Sequence, residues 1–128
     1  MKLVVQFDKD YEKELVFYDA LCNGLGALRG YGIEIGYDLD LFRKAKENLS
    51  SSACYEDILI RILQDGGKLF SIDHESGEYD YSISIKDVHE RIPLVPNHIL
   101  MDYIQKRDDV DSADVVLQTV FFKEVIFA

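Results

Sequence analysis

Basic residues are scarce in this chain. Fourteen lysines and arginines stand against 24 aspartates and glutamates, a formal charge of -10 over 128 residues. Arg43, Lys44 and Lys46 are the one basic cluster, and they lie beside Glu47. Phosphate neutralisation needs grouped lysine and arginine, so direct nucleic-acid binding is not expected. Cysteine is nearly absent. Cys22 and Cys54 lie far apart with no CxxC pair, which points to two buried free thiols in a reducing compartment. Long apolar runs are missing too. No segment can span a bilayer, and the start MKLVVQFDKD has too short an apolar stretch for a signal peptide, so a cytoplasmic chain without membrane contact is expected.

Several catalytic signatures are also missing. There is no HExxH and no GxSxG elbow, and the DDVD run lacks the glycine and closing glutamate of an EF-hand loop. The stretch GLGALRGYG invites a dinucleotide reading, but a phosphate loop must follow a strand and open a helix. Here the glycines follow a helical pattern and precede a strand, and Arg29 stands where a third glycine would fall. Gly24, Gly26, Gly30 and Gly32 are instead expected to break the helix and turn the chain, and no cofactor is expected.

What is present is the composition of a folded chain, 48% hydrophobic and 12% aromatic. The length fits one domain spanning 1–128, enough to bury roughly two thirds of the unfolded surface. The organising stretch runs from Tyr55 to Ile92. Ile58, Leu59, Ile62 and Leu63 recur at helical spacing, with a hydroxyl from Ser50 to Ser52 available as N-cap and Gly66–Gly67 as the stop. Lys68 to Asp73 reads as a strand and Glu75, Ser76 and Gly77 as a turn. Tyr79, Tyr81, Ile83 and Ile85 then alternate with polar residues as in a half-buried strand. Ser84 with Asp87 has the spacing of a capping box opening the next helix.

Around this unit, Lys2 to Phe7 reads as a first strand. Tyr11, Leu15, Tyr18, Cys22 and Leu25 make the apolar stripe of a helix, widened by Val16, Leu21 and Leu28. Ile33 to Tyr37 reads as a second strand, followed by a helix capped by Asp38 or Asp40. Pro96 opens a further helix, and Asp111 or Ser112 caps a last one reaching about Phe122. The expected fold is α+β: a small, mainly antiparallel sheet of three or four strands, with the Lys68–Ile85 hairpin at its centre, covered by about five or six helices.

The segments DGGKL, DVHERI and ADVVLQTVFF resemble a family of short, acidic, uncharacterised bacterial proteins, some encoded on mobile elements. The resemblance covers most of the chain and implies a bacterial accessory protein. It names no activity, ligand or catalytic residue.

Two candidate sites remain. His98 and Asp102 are four apart on a helix and can share a metal, with His89 as a further ligand; that pattern would serve a small metal-dependent enzyme. The other is a surface for an unidentified protein partner or for self-association. Phe121, Phe122, Val125, Ile126 and Phe127 offer more apolar faces than one helix buries, and Tyr79 and Tyr81 form a second patch. A non-enzymatic interaction module is the leading expectation. A nucleic-acid mimic presenting its acids to a basic protein is a weaker alternative.

Overall fold

The computed structural model describes residues 4–127. Helix α1 (Asp10–Gly30) leads into strand β1 (Ile33–Tyr37), then helices α2 (Leu39–Asn48) and α3 (Tyr55–Gln64). Strands β2 (Leu69–Asp73) and β3 (Tyr81–Ile83) follow, then helix α4 (Ile85–Arg91), a 3-10 turn at Ile92–Leu94, and helices α5 (Asn97–Ile104) and α6 (Val110–Phe122). The architecture is α+β, with one antiparallel sheet of order β1-β2-β3 and six α-helices among the described residues. Of the expected first strand, Lys2 and Leu3 lie outside the described residues. Val4 to Phe7 form no strand; the Val5 N–H donates to the Asn97 side-chain oxygen at 2.6 Å in place of a ladder partner.

Strand β2 holds the sheet together. It pairs with β1 through Ile33–Asp73 to Tyr37–Leu69, and with β3 through Leu69–Ile83 to Ser71–Tyr81. Ile33, Leu69 and Ile83 are fully buried on the face toward the helices, with α1 packed on β1 and α6 on β3. Phe70 and Ile72 alternate to the other face and stay exposed. The hairpin turn is built by a buried carboxylate. Asp73 accepts from Ser76 Oγ at 2.6 Å, from the Glu75 and Ser76 N–H groups at 3.0 and 3.2 Å, and from Tyr79 N–H at 3.2 Å. Those donors, the Ser76 hydroxyl foremost, hold its carboxyl down at about 2. Gly77 takes the left-handed conformation, φ 71°, that completes the turn.

The expected helix α1 is longer than its glycines suggested and is turned to a different face. It continues through Gly24 and Gly26 to Gly30, and the chain reverses only at Gly32, whose φ is 83°. Its buried residues are Val16, Phe17, Ala20, Leu21, Gly24 and Leu28. Val16, Leu21 and Leu28 are buried as expected and Tyr18 and Leu25 partly so, while Tyr11, Leu15 and Cys22 point outward. Both faces of the helix are apolar enough to compete, and the small residues decided between them. Ala20 and Gly24 admit α6, which lies against α1 along its length. A Cβ at Gly24 would stand 2.7 Å from Leu117 Cδ1 and 3.0 Å from Ala113 Cβ. Phe17 and Phe121 meet across the same seam with ring centroids 6.2 Å apart. Each such fully buried side chain contributes roughly 1.5–3 kcal/mol.

The helix starts are partly as expected. Ser84 N–H donates to Asp87 Oδ2 at 2.8 Å, the reach-back half of a capping box, and Asp38 caps α2. Two caps differ. Cys54, not a serine of the Ser50–Ser52 run, stands at the start of α3, its N–H bonded to Asp57 Oδ2 at 2.9 Å. Asp109, not Asp111 or Ser112, caps α6 through Ser112 N–H at 2.9 Å. Each of these residues immediately precedes the first helical residue and has the extended backbone that a cap needs.

Two substitutions two residues apart on α1, on different faces of the helix, are expected to act with opposite sign. Gly24→Ala gains helix propensity but wedges α6 outward, for a net loss of about 1 kcal/mol. Gly26→Ala meets nothing within 4 Å and is expected to gain up to about 1 kcal/mol. Urea midpoints of both variants check the pair. In the hairpin, the stabilising share of Asp73 is full above the ordinary carboxylate range and is lost as pH falls toward about 2. The acid-side drop in the urea midpoint is therefore expected to be smaller in Asp73→Asn than in the parent chain.

Candidate functional site

The outward stripe of α1 forms one wall of a groove. Tyr11 is 63% exposed and Leu15 55% exposed, more than any core argument allows for two large apolar residues in register. Helix α3 supplies the other wall with Ile60 and Gln64. Together with Glu14 and Tyr18 these residues line a depression of about 230 Å³. A second depression of about 290 Å³ continues from Ile60 and Gln64 toward Asp57, Arg61 and the Ser50–Ser52 turn.

Both ends of the groove carry anchored acids. At one end Glu14 accepts from Gln64 Nε2 at 3.0 Å and lies 2.8 Å from His89 Nε2, which reaches in from α4. The other ring nitrogen of His89 stands 3.6 Å from Asp10 Oδ2, so the imidazole sits between two carboxylates. At the other end the Tyr18 hydroxyl donates to Asp57 Oδ1 at 2.6 Å. That bond, with the Cys54 N–H on the second oxygen, keeps the Asp57 carboxyl below its usual range and pushes the Tyr18 phenol well above its own. The result is an apolar floor closed at each end by carboxylates fixed in place.

The sequence-derived metal set does not assemble. His98 is exposed on α5. Asp102, one turn on, accepts from Ser112 Oγ at 3.1 Å and faces Arg107 at 3.7 Å, tying it to the corner between α5 and α6. His89 is engaged with α1 instead. Among the described residues no three His, Cys, Asp or Glu side chains are grouped to hold a metal ion.

The two expected interaction patches meet each other. Tyr79 packs on Phe122 and Phe127 at 5.8 and 5.3 Å, and Tyr81 on Phe122 at 6.0 Å. Phe121 and Phe122 are core residues, 1% and 7% exposed, and so are no docking surface; Ile126 and Phe127 are half-buried, while Val125 stays exposed. The tail is drawn in by buried Gln118. Its Oε1 accepts from the Ile126 and Phe127 N–H groups, both at 2.8 Å, and its Nε2 donates to Phe127 O at 3.1 Å. Tyr31 stacks on Phe127 at 4.9 Å. Sequence reasoning missed the α1–α3 groove because it assigned the same stripe to the core. The available signal was that α1 carries apolar residues on more than one face.

Cys22 and Cys54, expected to be buried, are both exposed. Cys54 Sγ lies 3.7 Å from the Tyr18 hydroxyl, and Cys22 is one helical turn beyond Tyr18.

Tyr18→Phe removes the donor on Asp57 with little change in shape. The Asp57 carboxyl is expected to titrate at a higher pH in the variant, followed by side-chain NMR. An unchanged titration would show that the phenol is not what holds it down. No family model, curated protein or solved structure matches this chain.

Proposed function

We propose that the chain is a non-enzymatic accessory module that binds another protein in the bacterial cytoplasm, and that the α1–α3 groove receives a basic, amphipathic segment of that partner. The observation that carries this reading is the pairing of exposed Tyr11 and Leu15 with fixed acids at the groove's two ends. An amphipathic helix lays its apolar face on such a floor, and its lysines or arginines meet the carboxylates. The overall charge of -10 favours a basic partner and speeds encounter with it. No helix among the described residues is long and apolar enough to cross a membrane, so the apolar stripe of α1 is not a membrane span.

A synthetic Leu/Lys helical peptide serves as probe. It is expected to shift the amide resonances of Tyr11, Leu15, Ile60 and Gln64. Leu15→Ser is expected to weaken binding about tenfold, ~1.4 kcal/mol, without unfolding a chain in which Leu15 is already exposed. Shifts spread over all acidic surfaces, indifferent to Leu15→Ser, would leave charge as the sole attraction. That result would overturn the groove and favour mimicry of a nucleic acid.

A further inference from the structure

We infer that Cys22 and Cys54 form a dithiol site, one that a low-molecular-weight disulfide oxidises to an intramolecular disulfide linking α1 to the start of α3. The two cysteines are 32 positions apart in sequence, yet both neighbour Tyr18. Tyr18 Oη lies 3.7 Å from Cys54 Sγ, and Cys22 follows Tyr18 by one turn on the same helix. The environments agree with this placement: the Cys22 thiol feels both the Tyr18 hydroxyl and Cys54. Both residues are exposed, so a small disulfide can reach either sulfur. The site uses neither the floor of the groove nor its histidine, and it stands whether or not a partner binds there.

The chemistry is two thiol–disulfide exchanges. The thiolate of Cys54 attacks one sulfur of the small disulfide; the S–S bond breaks, one small thiol leaves and takes a proton, and a mixed disulfide remains on Cys54. Cys22 takes the second step; desolvation pushes its thiol up and leaves less thiolate, so proximity must drive this intramolecular attack. Its thiolate attacks the Cys54 sulfur and expels the second small thiol, which takes the other proton. Two protein thiols lose two electrons and two protons, and one small disulfide becomes two thiols. A disulfide requires a Cβ separation of about 3.5–4.5 Å; side-chain rotation turns the two sulfurs toward each other, and any remaining approach comes from movement of the start of α3 against α1.

The test uses the full chain with oxidised glutathione, read by intact mass and thiol count. The parent chain is expected to lose both thiols, retain no glutathione and become lighter by two hydrogens while remaining monomeric under non-reducing conditions. Cys22→Ser is expected to hold a stable glutathione adduct on Cys54, since nothing resolves it. Ring closure is expected to be at least about tenfold faster in the native chain than in urea, because the fold supplies the proximity. Lasting glutathione adducts on the parent chain would overturn the proposal. So would a disulfide formed only between chains, or closure no faster in the folded chain than in urea.

Discussion

The close approach of α1 and α6 is the constraint on which the rest of the molecule depends. It needs a helix face with no side chain at its crossing point, and Gly24 against Ala113 supplies it. A glycine in mid-helix costs roughly 1 kcal/mol of propensity, and burial of Phe17, Leu21, Leu117 and Phe121 along the seam outweighs that cost. Once α6 is seated there, its far side can meet β3 and Arg91 of α4 can donate to Val120 O at 2.6 Å near the helix C-terminus. Gln118, fully buried on α6, is then placed to draw the tail in. One packing choice thus positions the sheet, the fourth helix and the end of the chain.

The same choice creates the groove. A helix with apolar residues on two sides can bury only as many as its neighbours cover. With Gly24 and Ala20 claiming the seam, Tyr11 and Leu15 are left on the open side, where α3 covers only part of them. The stripe that looks like core by spacing is therefore the surface most available for recognition, and Phe121 and Phe122, which look like surplus apolar residues at a tail, belong to the core.

What could be read from the sequence was what is decided locally. The hairpin expected over Lys68–Ile85 has a shorter second strand, Tyr81–Ile83, because Tyr79 belongs to the turn and Ile85 already opens α4. Its existence, the strand Ile33–Tyr37, the buried set on α3 and the Ser84–Asp87 start of α4 follow from alternation, helical period and turn chemistry within a few residues. What could not be read depends on partners distant in sequence. The outward turn of α1 is set by α6, nearly ninety positions on; the capture of Phe127 is set by Gln118 and Tyr31; Asp102 is lost to metal binding because Ser112 and Arg107 reach it. Spacing gives which residues share a face, but whether that face is covered is a tertiary fact.

Charge follows the same division. The excess of acids is plain from composition, but composition cannot say which acids are held still. Asp57 and Glu14 are held, one by a phenol and a backbone N–H, the other by an amide and an imidazole. A fixed carboxylate has already lost the side-chain freedom that a mobile surface acid would lose on meeting a cation, so it discriminates position as well as sign. This separates the α1–α3 groove from the acidic surface around it. Tyr18 is the residue that joins the two proposals: its ring helps form the groove, and its hydroxyl lies 3.7 Å from the Cys54 sulfur, one helical turn from Cys22. A covalent link between Cys22 and Cys54 would fix the two walls at their shared end, and the width of the apolar floor would then no longer depend on α1–α3 packing alone.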